Sequence, residues 1–208
     1  MSDPTAAAPD FADRYATGQT PWEIGEPQPA FVENADLVTG RTLDLGCGTG
    51  ELAVWFAGRG VDVVGVDPEP AAVGAARAKA EAAGVDAEFR VGSALELSGP
   101  GLSGLGPFDT VFDCLLFHIF DDEQRAAYAA SARAALRPGG RLLMLVFSDA
   151  EPPGNGPRRV SEAEVRACFA EGFEVEVVEA TRLQMRPEDA GLFSSDRPHG
   201  LWAVLRRE

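Results

Sequence analysis

Histidine is nearly absent from this chain of 208 residues: His118 and His199 are its only two, too few for a histidine-rich metal site, so no metal is expected. Cysteine is almost as scarce. Cys47, Cys114 and Cys168 are scattered, with neither a zinc-ligand spacing nor a disulfide framework, and read as buried reduced thiols. Positive charge is short as well, with 18 Lys and Arg against 33 Asp and Glu, a formal net charge of −15. Nucleic-acid binders neutralise phosphates with clustered cations. Here the bases are dispersed apart from Arg158-Arg159 and Arg206-Arg207, so no nucleic-acid partner is expected, and the acidic surface also serves solubility. No apolar run approaches the roughly 20 residues that a membrane-crossing helix needs. Met1 to Asp10 is rich in Ala, Pro and Asp and lacks the basic start and apolar stretch of a signal peptide. These absences predict a cytoplasmic protein with no membrane partner.

What is present is an alternation of apolar strands and helices, in a chain long enough for one domain over residues 1–208. Leu43-Asp44-Leu45 is an apolar strand, and Leu52 to Ala57 opens a buried helix. Val61 to Asp67 is a second strand, followed by an Ala-rich helix from Pro70 to Ala83 with Gly84 as its C-cap. Ala87 to Val91 and Phe108 to Asp113 read as the third and fourth strands, with a Gly/Pro/Ser-rich loop, Ser98 to Pro107, between them. A helix from Asp121 to Leu136 carries acids at its positive end and is stopped by Pro138-Gly139-Gly140. Arg141 to Phe147 is a fifth, near-continuous apolar strand. A loop from Ser148 to Arg159 leads to a capping box at Ser161 to Glu164 and a helix to Glu171. Phe173 to Ala180 and Gly200 to Arg206 are the last two strands. The order predicts an α/β fold, an open and mostly parallel sheet with helices on both faces and an antiparallel closing hairpin.

The chemistry concentrates where the first strand ends. Gly46-Cys47-Gly48-Thr49-Gly50 places glycine at every second position, which permits a tight strand-to-helix turn and lets a flat or charged ligand approach the main chain. The spacing is G-x-G-x-G, not the G-x-G-x-x-G of nicotinamide and flavin dinucleotide sites. Asp67 ends the second strand, where a carboxylate can accept both hydroxyl protons of a ribose; the alternative is an acid that caps the following turn. Open α/β sheets bind ligands beyond the carboxyl ends of their strands. In this chain those ends carry Asp44, Gly46, Asp67, Gly92-Ser93-Ala94 and Asp113 to His118.

Asp44 to Gly50, Asp67, Gly92 to Ala94, Phe108 to Asp113 and Leu136 to Gly140 fall in an order that resembles the class I S-adenosylmethionine-dependent methyltransferases over most of the chain. The resemblance implies a Rossmann-like seven-stranded sheet with an antiparallel last strand. It also implies S-adenosylmethionine as cofactor and S-adenosylhomocysteine as product, bound by Asp44, Gly46, Cys47, Gly48, Gly50, Asp67, Pro68, Ser93, Ala94 and Asp113. Asp67 would hold the ribose, Asp44 would sit near the ammonium, and Ser93-Ala94 would approach the adenine. This chain has Ser93 where the family commonly places Asp.

The segment Thr20 to Phe31, with Pro21, Pro27 and Pro29, reads as too irregular for a helix or central strand. It looks like the segment that closes over the cofactor in thiopurine, thiol and halide methyltransferases and in actinobacterial heterocycle methyltransferases. That likeness makes residues 1–35 a lid, puts Trp22 and Phe31 against cofactor or substrate, and turns Tyr15 towards the same cavity. The alternative for Trp22 is a side chain that pins a loop to the core. After the fourth strand, Phe117 and Phe120 suggest an aromatic wall for a planar acceptor. His118 is the one obvious base candidate, and otherwise a histidine that bonds a loop carbonyl or packs beside the cofactor. Arg158 and Arg159 read as a solvated pair, or as partners for an anionic acceptor. The loop from Leu183 to Pro198, with Met185, Phe193 and Arg197, lies on the substrate side by the same likeness.

The reading is methyl transfer to a small-molecule nucleophile, a thiol first and then oxygen or nitrogen on an aromatic heterocycle, in detoxification or natural-product tailoring, by a monomer or homodimer. Two rivals remain at this level: a non-catalytic cofactor-binding or regulatory protein, and a nicotinamide-dependent oxidoreductase. The second should show G-x-G-x-x-G and a catalytic Tyr-Lys pair, and neither appears.

Overall fold

The computed structural model describes residues 11–97, 102, 104–154 and 156–208. Residues 1–10 of the expected lid, residues 98–101 and 103 of the loop before the fourth strand, and residue 155 of the loop after the fifth lie outside the described residues.

Seven strands form one sheet in the order β3-β2-β1-β4-β5-β7-β6. They are β1 (Thr42–Leu45), β2 (Val63–Asp67), β3 (Glu88–Val91), β4 (Phe108–Cys114), β5 (Leu136–Phe147), β6 (Phe173–Arg182) and β7 (His199–Arg207). The first five run parallel, and β7 enters antiparallel between β5 and β6. Every residue of β1 and β2 is buried, as parallel strands covered on both faces require.

Among the described residues, six α-helices accompany the sheet: α1 (Phe11–Thr17), α2 (Pro29–Glu33), α3 (Glu51–Ala57), α4 (Pro70–Ala83), α5 (Asp122–Ala135) and α6 (Glu162–Cys168). Successive strand residues point to opposite faces, so Leu142, Met144 and Val146 of β5 join one core while Leu143, Leu145 and Phe147 join the other. The first core packs α5 and α6 through Tyr128, Ala132 and Val165, and the second packs α2, α3 and α4 through Phe31, Phe56 and Val73. The start of α5 is set by Asp121, whose side chain accepts from the Gln124 N–H while Gln124 reaches back to the Asp121 N–H. Ser161 and Glu164 do the same for α6.

The structure departs from the sequence reading in three places. Pro138-Gly139-Gly140 does not separate α5 from β5. The helix ends at Ala135 and the strand begins at Leu136, with residues 137–140 bulged opposite Asp109. The segment read as irregular contains α2, whose first turn takes Pro29 without losing a helical hydrogen bond. The helix expected to reach Glu171 ends at Cys168.

Candidate active site

The sheet order reverses between β1 and β4, so the loops leaving their carboxyl ends diverge and open a crevice. A side chain at Gly46 would place its Cβ 2.9 Å from Leu116 Cδ1, so glycine at 46 lets the β1 loop meet the β4 loop directly. The main chain of the β1 loop is tied to β2: the N–H groups of Gly46 and Cys47 donate to the Val66 carbonyl at 2.8 and 3.1 Å. The Gly50 N–H donates to the Cys47 carbonyl at 2.8 Å and closes the turn into α3.

Asp67 closes the same loop from the end of β2. Its Oδ2 accepts from the Gly48 N–H at 2.9 Å and its Oδ1 from the Glu69 N–H at 2.9 Å. Each carboxylate oxygen keeps a second lone pair, which leaves an acceptor pair of the geometry a ribose diol requires. Burial raises this carboxyl above the usual range, and the two N–H groups oppose that rise. The Gly92 N–H donates to the Asp67 carbonyl at 3.0 Å, drawing the β3 turn to the same edge. There Ser93 is exposed, its Oγ accepting from the Leu95 N–H, and Ala94 is buried; Pro68 is exposed beside Asp67.

Asp44 is different. It is 2% exposed, and its Oδ2 has no hydrogen-bond partner among the described residues. Burial first, then the charges of Asp67 and Asp113, raise its carboxyl to about 8. A buried acceptor without a donor is costly. Asp44 beside a glycine turn and Asp67 fits a ligand that brings both a diol and a positive charge.

The N-terminal segment lies on this loop. Gly48 has φ +53°, and a Cβ there would stand 3.0 Å from the Tyr15 hydroxyl. That hydroxyl accepts from Trp22 Nε1 at 3.3 Å, and Trp22 packs edge-on against Tyr15 and Phe11. Glu23 Oε1 accepts from the Thr49 N–H at 3.2 Å. Tyr15 and Glu23 therefore stand over the glycine turn, with Trp22 packed on Tyr15 behind them. Glu23 was missed, because an acid in an irregular segment carries no periodic signal.

Several expected site residues are elsewhere. Phe31 is 1% exposed and packs edge-on against Phe112 and Trp202, so it belongs to the core. Phe117 is fully buried against Tyr128 and Phe169, and Phe120 packs on Tyr128, so neither forms an acceptor wall. The Asp113 carboxylate accepts from the N–H groups of Leu116 and Phe117 and holds the β4 loop in its turn. Burial raises it to about 6. Cys47 contributes main chain only, its thiol buried in the core and pushed up by that burial. Arg158 is committed to Asp122 at 2.6 Å and Glu164 at 2.7 Å.

His118 is 4% exposed, and its Nδ1 accepts from the Phe147 N–H at 3.4 Å. Burial, then the charges of Arg125 and Arg159, lower it to about 3. An imidazole that holds its proton so weakly is a poor general base, so this residue positions the β4 loop against β5. Beyond it, the Phe147 ring stacks on Phe193 with centroids 4.9 Å apart, and the Arg159 guanidinium lies 5.3 Å from the Phe147 centroid. Phe147 was legible only as a strand residue; its place at the carboxyl end of β5 was the available signal.

A carboxylate with a free acceptor pair, a glycine turn and a buried acid with one unpartnered oxygen, at a switch point of the sheet, suit a cationic nucleoside ligand. Residues 42–140 match a family model described as a methyltransferase domain. The chain is 34% identical over 177 residues to the 2-heptyl-1-hydroxyquinolin-4(1H)-one methyltransferase of Mycobacteroides abscessus, covering 83% of this chain and 76% of that protein. It is 32% identical over 177 residues to the probable thiol methyltransferase 2 of Arabidopsis thaliana, covering 83% and 77%. A structure solved for the conversion of a disulfide bond into a thioacetal group during echinomycin biosynthesis superposes with TM-score 0.78 at 36% identity, over 90% of this chain and 85% of that one. The chain belongs to the class I S-adenosylmethionine-dependent methyltransferases and is a small-molecule methyltransferase. The nicotinamide and non-catalytic readings fall with that assignment.

Proposed function

We propose that the acceptor is an aromatic thiol or a hydroxy- or nitrogen heterocycle, bound beyond the ends of β4 and β5. The observation that carries this reading is the half-buried Phe193 ring stacked on Phe147, beside a buried histidine whose Nδ1 is already taken by the Phe147 N–H. Bound S-adenosylmethionine supplies an electrophilic methyl group on a sulfonium, so the protein's task is to align a nucleophile with it. Aryl thiols, N-hydroxy groups and heterocyclic nitrogens need little help from a base. The relatives named for a hydroxyquinolone and for a thiol support the same two classes. Cofactor contacts in this reading come from Asp44, the main chain of residues 46–50, Asp67, Ser93 and Ala94, with Tyr15, Trp22 and Glu23 closing over them. The chain acts as one domain, its described residues from 11 to 35 serve as a lid, and it works in the cytoplasm as a monomer or homodimer.

The test is S-adenosylhomocysteine formation against aryl thiols, dithiols, hydroxyquinolones, phenols and iodide. Turnover concentrated on aryl thiols or hydroxyheterocycles is the expected outcome. Turnover confined to iodide, or absent from every aromatic, overturns the proposal.

A further inference from the structure

Arg158 and Arg159 are neighbours in sequence with opposite fates. Arg158 spends its charge on two carboxylates. Arg159 finds none among the described residues: its Nη1 donates to the Pro157 carbonyl and its Nη2 to the Pro152 carbonyl, while its buried Nε has no partner. Glu151 is the carboxylate whose field reaches it, yet Glu151 accepts from the Ser194 N–H, the Ser194 hydroxyl and the His199 N–H. The Arg159 guanidinium lies by Phe147, which stacks on Phe193, and a side chain at Gly156 would come within 3.3 Å of that second ring. The cluster is coupled to the crevice through His118, which binds the Phe147 N–H two residues after Leu116 meets Gly46. A half-buried guanidinium without an acid, in a protein of net charge −15, is an unmatched positive point.

We propose that Arg159 is the specificity residue of the acceptor site and selects a planar aromatic anion, a thiolate, enolate, deprotonated N-hydroxy group or carboxylate, laid against Phe193, the half-buried ring that covers Phe147. The inference rests on the aromatic-acceptor reading above and adds the charge state. A guanidinium presents a planar donor fork that matches such an anion and also stacks on aromatic faces. Holding the acceptor as its anion removes the need for a base. The S–H or O–H bond breaks before transfer, its electron pair stays on the heteroatom, and the proton leaves to water.

The test uses non-reactive probes, 1-naphthoate and the neutral 1-naphthamide, titrated calorimetrically into the full chain with S-adenosylhomocysteine present. Wild-type protein should prefer naphthoate by about tenfold or more, the worth of a charge-assisted hydrogen bond. Arg159→Met should abolish that preference while still binding S-adenosylhomocysteine, Arg159→Lys should keep part of it, and Arg166→Met, on the far side of α6, should leave it intact. Equal binding of the two probes by wild-type protein overturns the inference and leaves the aromatic site standing. Binding of neither probe overturns both. Retained preference in Arg159→Met overturns the role of Arg159.

Discussion

Asp44→Asn should make the cofactor-free protein more stable while weakening its hold on S-adenosylmethionine, and the stability gain should grow with pH. Asp44 rises from an ordinary 3.8 to about 8 in the folded chain. Between those values the unfolded chain has lost the proton that the folded chain keeps. The folded state then binds more protons, and stability falls as pH rises through the window from about 4 to about 8. Each pH unit inside that window costs about 1.4 kcal/mol, so Asp44 alone removes on the order of 4 kcal/mol between about pH 5 and pH 8. Asparagine keeps the shape and cannot ionise. Urea unfolding of both proteins at four pH values across that range isolates the residue, because the other carboxylates occur in both proteins. The stability difference should widen steadily towards pH 8. Calorimetry should show wild-type protein binding S-adenosylmethionine more tightly as pH rises and releasing a proton to the buffer, with Asp44→Asn weaker by about tenfold. A stability difference that stays flat with pH would refute the reasoning.

His118→Asn should leave the kcat/KM profile unchanged between about pH 6 and 9 and lower kcat by less than about tenfold, whereas losing a general base costs about a hundredfold or more. A limb near pH 6.5 in wild-type protein that vanishes in the variant would restore His118 as the base. Tryptic cleavage after Arg14 should slow when S-adenosylhomocysteine is bound, because Tyr15, Trp22 and Glu23 rest on the glycine turn. An unchanged cleavage rate would count against a lid.

The parts of the fold that were legible are those where local pattern and burial agree. β1 and β2 are apolar runs buried along their whole length, each with an acid at or near its end, and α4 begins at a proline and ends at a glycine. Pro138-Gly139-Gly140 misled because it punctuates the helix correctly, yet its bulge lies inside a strand that pairs with Phe108 on one side and Thr110 on the other. Aromatic residues after a strand end look alike in sequence whether they line a cleft or fill a core. Phe117 fills one because Tyr128 and Phe169, contributed by α5 and the end of α6, close over it. The exposed fate of a charge is equally hidden. Nothing near Arg158-Arg159 says which of the two reaches Asp122 and Glu164.

The three strand-end carboxylates separate by how far the protein satisfies them. Asp113 gives its acceptors to the turn that follows it, Asp67 gives one lone pair from each oxygen, and one oxygen of Asp44 receives nothing. The least satisfied acid is thus the one that gains most from a cation, and it stands on the cofactor side of the Gly46–Leu116 contact. On the far side, Arg159 pairs with no carboxylate among the described residues and leaves its buried Nε without a partner. With Arg159 holding the acceptor as proposed, and Asp44 giving up its proton when the cofactor binds, the cleft carries opposite charge at its two ends, each matched to the reactant it holds. Methyl transfer between a cation and an anion leaves two neutral molecules. Arg159 then loses the anion it attracted, while Asp44 keeps the ammonium that S-adenosylhomocysteine retains, so the charge lost on transfer favours release of the methylated product first.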